Sequence, residues 1–345
     1  MRRLTTFLTI CLALALALPV SAKKPRKLSI GAYISGAKIA FGQSGNDAEP
    51  RYEDAIYLLD SCLMWYGSIP EAYYWKARVY SELAKNHRTD TAAHLGYIDS
   101  LVVAADSLNS SCDDDNKDVK KKYKEDCGDW TSQVDTLRIG WFGEYYDEAQ
   151  AARKTVQDEL KPNLAQAELE AEKEALQAEI DEKYEEAIRN YNRAGRVFPS
   201  DVRYLINLAQ VHTERGNFAE ALPLQMRAAT ETRKRDPGLY LNLLVEVGFS
   251  YYQQHMFDSA ANVYKIVVGE LTDAEMEQKV LFTNNIIACY NSLKQFDSSL
   301  HYTHKVLEMD PNDAEALSTV GRHWFAMIQD VNKAKTDAAE AGDNA

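Results

Sequence analysis

The sequence predicts an all-α fold in which pairs of short helices repeat along the chain. Three segments align without a gap: VRYLINLAQVHTERGNFAEAL from Val202, LNLLVEVGFSYYQQHMFDSAA from Leu241 and VLFTNNIIACYNSLKQFDSSL from Val280. Within each segment, apolar residues recur three, four and seven positions apart in two stretches that a short turn separates. Each segment is therefore expected to form an antiparallel pair of helices.

Three columns of this alignment have a constant character. The first column is small or apolar, the middle one is aromatic and the last one is small. They hold Ala209, Gly248 and Ile287, then Phe218, Phe257 and Phe296, then Ala221, Ala260 and Ser299. Small residues let the two helices of a pair approach closely, and the aromatic residues fill the gap to the next pair. Half-copies flank the three segments, YEEAIRNYNRAGRVFP before them and AEALSTVGRHWF after them.

This pattern resembles the tetratricopeptide repeat family, which has a small residue on each helix, aromatic residues at set offsets and a proline after the second helix. The resemblance implies a right-handed α-solenoid whose concave groove binds a protein or peptide, with no cofactor. His255 and Lys294 stand where the first segment has Gly216. If all three positions adopt a left-handed turn conformation, each non-glycine residue there costs ~1 kcal/mol.

The resemblance also implies which residues face a partner. In the family these are the second, fifth, sixth and ninth positions of each first helix. Ile206 and Val245 occupy fifth positions where some relatives carry a lysine that clamps a C-terminal carboxylate, so recognition of chaperone tails is not expected. The residues expected to bind a partner are Arg203, Asn207, Gln210, Asn242, Phe249, Asn284, Asn285 and Arg322.

The rest of the chain is organised around this array, which is expected to cover residues 184–333. Residues 23–160 show the same pattern in weaker form and are interpreted as divergent helical repeats with an insert at 109–129. In this region GEYYDEAQAARKTV, around Ala149, is interpreted as the second helix of a pair. Residues 161–183 are rich in Ala and Glu and predict a charged, largely solvated helix. Residues 334–345 predict a disordered tail.

The first residues have the composition of a secretory signal. MRRLTTFLTICLALALALPVSA contains two arginines, a short apolar run and a final small-residue triplet, so residues 1–22 are predicted to be a signal peptide cleaved after Ala22. The four basic residues that follow, between Lys23 and Lys27, leave an uncleaved anchor as the alternative. Export would place the protein in the periplasm or cell envelope, and would limit its membrane contact to this segment.

Export also determines how the cysteines are interpreted. Cys112 and Cys127 lie in polar sequence within the predicted insert and are close along the chain. In an oxidising compartment they are expected to form a disulfide that closes the insert. Cys62 and Cys289 lie on apolar helix faces, where a cysteine usually serves as a small buried side chain.

Neither nucleic-acid binding nor catalysis is indicated. The formal net charge of −13 opposes contact with a polyanion. DDNKDVKKKYKE resembles a calcium loop in its acidic positions but lacks the required glycine. His301, His304 and Glu308 share a helical face, which is interpreted as solvated, so no metal site is expected. No catalytic motif is present, and the protein is not expected to be an enzyme.

Together these features predict a non-catalytic adaptor of the periplasm or cell envelope that binds a partner protein or peptide. An alternative is an envelope assembly factor that associates with polysaccharide or peptidoglycan, as 20 Tyr and 5 Trp residues would allow. The sequence leaves the oligomeric state open.

Overall fold

The structure is a computed structural model that describes residues 27–42, 50–113 and 117–343, without the side chains of residues 117–121 and 339–343. The predicted signal segment lies outside these residues. The chain divides into two compact units, one ending at Trp141 and one beginning at Phe142. The described residues form helices and contain no strand. The predicted all-α fold of helix pairs is therefore confirmed.

The first unit contains two helix pairs and most of a long helix. Its helices are α1 (Ile30–Ala40), α2 (Tyr52–Tyr66), α3 (Pro70–Asn86), α4 (Thr91–Asp113) and the part of α5 (Lys117–Thr155) that precedes Phe142. Helix α1 packs on α2, and α3 packs on α4. Gly67, with a φ of 74°, ends α2, and Pro70 begins α3 at a position where its missing N–H costs nothing.

Helix α5 is held against α3 by aromatic and polar contacts. Trp130 stacks on Tyr74 with ring centroids 5.6 Å apart, and the Tyr74 hydroxyl donates to Gln133 Oε1 at 2.6 Å. The predicted insert at 109–129 lies where α4 ends and α5 begins. There a disulfide joins Cys112 to Cys127, whose Cα atoms are 5.8 Å apart. Formation of this disulfide in the cell stays a prediction.

The second unit is a series of helix pairs that follow the predicted repeats. After the end of α5, a π-helical turn (Val156–Leu160) and the short α6 (Lys161–Gln166), its helices are α7 (Glu170–Val197), α8 (Arg203–Glu214), α9 (Phe218–Thr232), α10 (Pro237–Gln253), α11 (Phe257–Glu270), α12 (Met276–Ser292), α13 (Phe296–Met309) and α14 (Ala314–Asp343). A 3₁₀ turn (Asp273–Glu275) precedes α12. From α7 to α14, each helix packs on the next along the chain.

The residues of the two small columns lie inside this unit. Ala209, Ala221, Ala260, Ile287 and Ser299 are each at most 2% exposed, and Gly248 is buried as well. The small columns therefore occupy the contacts between helices, as predicted.

Two boundaries differ from the sequence interpretation. The charged helix predicted at 161–183 is interrupted: α6 ends at Gln166, and α7 begins at Glu170 and continues through the first half-copy to Val197. Helix α14 continues to Asp343, where a disordered tail is predicted. Its second half is rich in Ala, which has high helix propensity, although every described side chain after His323 is exposed.

The segment around Ala149 is a first helix and not a second one, so that interpretation is wrong. Ala149 and Ala152 of α5 form one buried cluster with Tyr184 and Ala187 of α7 and with Leu208 of α8. The helix that pairs with this segment therefore follows it, after the π-helical turn and α6. The sequence did not reveal the pairing of α5 with α7, because the connection between these helices is itself helical and contains no typical turn residue.

The left-handed turn residues are confirmed. Gly216, His255 and Lys294 have φ values of 75°, 59° and 58°. In each repeat the next residue donates a backbone hydrogen bond across the turn: Asn217 N to His212 O at 2.8 Å, Met256 N to Tyr251 O at 2.9 Å and Gln295 N to Tyr290 O at 2.9 Å. The hydrogen bond fixes the turn even where a Cβ atom makes the conformation unfavourable.

We expect Lys294→Gly to raise the free energy of unfolding by ~0.5 to 1 kcal/mol, because glycine removes the steric cost of the left-handed conformation at an exposed position. Urea denaturation monitored by circular dichroism measures this. Gly216→Ala is the matched control and should lower the free energy of unfolding. A Lys294→Gly variant that is less stable than the wild type would show that the turn is not strained.

Candidate functional site

The candidate site is the first-helix surface, which we define as the exposed face of the first helices of the second unit: the end of α5, α8, α10, α12 and the start of α14. All eight predicted partner-binding residues lie on these helices. Their surroundings differ from one end of the surface to the other. Some are engaged by neighbouring side chains, and others are exposed.

Arg203, at the start of α8, is held by charge and by aromatic rings. Its Nη2 donates to Asp201 Oδ2 at 2.6 Å. The guanidinium carbon lies 5.0 Å from the ring centroid of Phe142 and 5.5 Å from that of Tyr146. Both rings belong to α5, so Arg203 joins α8 to the preceding first helix.

Asn207 makes a second connection between the same two helices. Its Nδ2 donates to the Tyr146 hydroxyl at 2.8 Å, and its Oδ1 accepts from Gln150 Nε2 and Arg153 Nη1, both at 3.3 Å. The amide of Asn207 is thus largely used within the protein. Arg203 and Asn207 are predicted site residues that the structure places in a helix-to-helix contact.

Arg153 and Glu214 form the centre of this contact, and the sequence prediction missed both. Arg153 Nε lies 3.1 and 3.2 Å from the two carboxylate oxygens of Glu214. Glu214 also accepts from Gln157 Nε2 at 2.6 Å and from the Tyr184 hydroxyl at 3.3 Å. The two charged side chains are only 13% and 16% exposed. Gln157 lies in the π-helical turn, a feature that is frequent at functional sites.

The electrostatics of the pair follow from its burial. Burial by itself lowers the pKa of the Arg153 guanidinium, but the hydrogen bonds to Glu214 and the charge of its carboxylate raise the pKa above its usual value. Burial also raises the pKa of the Tyr184 hydroxyl. Arg153 therefore stays charged and Tyr184 stays neutral, so both side chains remain hydrogen-bond donors over the physiological pH range.

We expect Glu214→Gln to lower the free energy of unfolding by ~3 kcal/mol, because it leaves the Arg153 cation buried without a counter-charge. The matched control is Glu185→Gln, which removes the acid that pairs with Arg215 but whose side chain is 50% exposed. That control should cost ~1 kcal/mol or less. Thermal or urea unfolding measures both changes. If the two variants lose the same free energy of unfolding, the assignment of a buried ion pair at Arg153 is contradicted.

The middle of the surface presents exposed amides around an aromatic side chain. Gln210 and Asn242 are exposed, and Asn285 is half-buried. Phe249 of α10 is 40% exposed and packs edge to face on Phe218, with ring centroids 5.7 Å apart. Phe249 is thus packed against the protein at Phe218, while part of its ring faces solvent.

Asn284 is also on α12, but its amide is partly engaged. Its Nδ2 donates to Asp313 Oδ2 at 3.4 Å, and its Oδ1 is buried with no hydrogen-bond partner among the described residues. A buried acceptor without a donor favours a ligand or a water molecule beside it.

Arg322 lies apart from the other predicted residues, in a cavity of about 490 Å³ formed by α12, α13 and α14. Both apolar and polar side chains line the cavity. It is lined by Asn291, Phe296, Ser299, Leu300, Thr319, Arg322, His323, Ala326, Met327 and Asp330. The sequence pattern did not predict this cavity, because the cavity depends on how side chains of three helices pack together.

No other chemistry is indicated among the described residues. They contain no group of three or more potential metal ligands, and His301, His304 and Glu308 are exposed. Part of the segment Asp114–Glu125 lies outside the described residues.

Cys62 and Cys289 are buried, and burial raises the pKa of the Cys289 thiol to about 11. None of the described helices is both long and apolar enough to cross a bilayer.

Comparison with known proteins gives one curated relative. No family model matches the chain. The Hsp70-Hsp90 organising protein of Plasmodium falciparum (isolate 3D7) is 26% identical over 162 residues, which is 46% of this chain and 26% of that protein. This chain therefore spans about a quarter of the length of that relative.

Two solved structures align over most of the chain. YrrB, a TPR protein with an unusual peptide-binding site, has a TM-score of 0.33 and 13% identity, covering 85% of this chain and 92% of its own. The C-terminal part of a TPR repeat-containing protein from Cytophaga hutchinsonii has a TM-score of 0.34 and 11% identity, with coverages of 84% and 99%. These TM-scores are too low to add support, so the fold rests on the helices of this chain.

Proposed function

We propose that this protein is a non-catalytic scaffold of the periplasm or cell envelope that binds a partner protein or peptide on its first-helix surface. The observation that carries the proposal is the partly exposed ring of Phe249 among the amides of α8, α10 and α12. A partly exposed aromatic side chain that is packed against its own protein is a typical anchor of a protein interface.

The amides around Phe249 supply the polar part of such an interface. Gln210, Asn242 and Asn285 each offer both donors and acceptors, which suit the backbone of an extended or helical peptide. Arg203 and Asn207 are engaged with α5, so we place the centre of binding on α10 and α12. The similarity to a protein whose name describes it as an organiser of Hsp70 and Hsp90 favours a scaffold role.

The location and the lack of catalysis are parts of the same proposal. Export is supported by the signal-like composition of residues 1–22 and by the disulfide between Cys112 and Cys127, which suits an oxidising compartment. A scaffold role without catalysis is favoured because the first-helix surface offers amides and an aromatic ring, which recognise a partner but do not activate a nucleophile.

We expect Phe249→Ala combined with Asn242→Ala to weaken partner capture at least tenfold, or ~1.4 kcal/mol, since the anchor and an adjacent amide are lost. In-cell crosslinking followed by affinity purification identifies the partner, and binding of that purified partner gives the change in affinity. Ile266→Ala is the matched control, because Ile266 is an exposed apolar residue of similar size on α11, a second helix.

Circular dichroism should show that both variants remain folded. Capture that survives the double change, or that Ile266→Ala weakens as strongly, would contradict binding at the first-helix surface.

A further inference from the structure

The cavity beside α14 exists because the last repeat lacks a contact that an earlier repeat makes. In the earlier repeat, Phe249 packs on Phe218, and Gln254 Nε2 donates to the Phe218 carbonyl at 3.2 Å. In the repeat register, Arg322 takes the position of Phe249, Met327 that of Gln254 and Phe296 that of Phe218. Phe296 is left 55% exposed beside the cavity.

The polar groups of the cavity are arranged with opposite charges at its two ends. Arg322 and Asp330 both line it and lie eight residues apart on α14, which is about 12 Å along the helix axis. Arg322 donates to Thr319 Oγ1 at 3.0 Å, and neither Arg322 nor Asp330 forms an ion pair with another described residue. Ala326, a small residue that also lines the cavity, lies midway between them.

The charges of Arg322 and Asp330 are complementary to those of a second α14 that runs in the opposite direction. If a second α14 runs antiparallel and crosses at Ala326, Arg322 of each helix lies opposite Asp330 of the other. Two equivalent charge pairs then form on either side of the crossing point, as a twofold axis requires. The small side chain of Ala326 at that point permits the interaxial distance of about 8 to 10 Å at which helices pack.

We propose that this cavity is a self-association site, filled by α14 of a second copy of the chain. The apolar side chains at the cavity have the character that such a contact needs. Phe296 and Met327 are 55% and 45% exposed, and Leu300 lies beside them. In the dimer, Met327 of each copy enters the cavity of the other and covers Phe296. The charge pairs set the direction of the helices, and the apolar contacts supply the association energy.

Two charge reversals test this proposal on the full-length chain. Sedimentation velocity from about 1 to about 100 µM should show a monomer–dimer equilibrium for the wild type. Arg322→Asp and Asp330→Arg should each weaken dimerisation about tenfold or more, because each places like charges opposite one another at both pairs.

An equimolar mixture of the two variants provides the decisive measurement. In a mixed dimer both pairs again have opposite charges, so the mixture should dimerise with an affinity near that of the wild type. An effect of these residues within a single chain would not be rescued by mixing. Trp324→Ser is the matched control, since Trp324 is 57% exposed on α14 but does not line the cavity, and it should leave the dimer intact.

Three results would overturn the proposal: a chain that stays monomeric over the whole range, a mixture that is no tighter than its two components, or an oligomer that only Trp324→Ser disrupts. The outcome is independent of partner capture at Phe249, because sedimentation is measured on the purified chain with no partner present.

Discussion

The spacing of each helix pair in the second unit depends on how two facing residues share the volume between the helices. In the middle repeat Gly248 of α10 faces Tyr264 of α11, and a Cβ atom at position 248 would lie 2.7 Å from the Tyr264 ring. The same two positions hold Ala209 with Gln225 in the first copy and Ile287 with Thr303 in the third, all of them buried. A larger residue on the first helix thus accompanies a smaller one on the second, as close packing requires.

This shared volume fixes the spacing of each helix pair and so places the first helices at regular positions. The function proposed for the first-helix surface follows from those positions. At one end, α8 lies close enough to α5 for Arg153, Asn207 and Glu214 to form a polar contact, which engages one of the predicted partner-binding residues, Asn207. In the middle, Phe249 is supported on one side only. At the other end, Arg322 replaces an aromatic residue and a cavity remains. One repeat geometry thus yields three local environments.

Much of the fold could be predicted from the sequence because it depends on local pattern. The helix pairs follow from apolar periodicity, and the left-handed turns at His255 and Lys294 follow from alignment with Gly216. The pairing of α5 with α7 could not be predicted, because the helical connection between them has no turn residue. The extent of α14 was also missed, since its exposed second half has helix propensity but no packing partner among the described residues.

The site was less predictable than the fold for a physical reason. Repeat position shows which residues face the surface, but not whether neighbouring side chains already engage them. Arg153 and Glu214 are 61 residues apart along the chain, and only the fold brings them together. A register that places Ala149 in the first small column aligns Tyr146 and Gln150, which contact Asn207, with partner-facing positions, but it leaves Arg153 outside them.

The measurement that tests the shared-volume constraint most directly is a double-mutant cycle at Gly248 and Tyr264, scored by the free energy of unfolding. Gly248→Ile and Tyr264→Thr transfer the residues of the third copy into the second. Each single change should cost ~2 to 4 kcal/mol, the first through overpacking and the second through a cavity. The double variant should recover at least ~1 kcal/mol relative to the sum of the two losses. Strictly additive losses would contradict the claim that these two residues set the spacing of the helix pair.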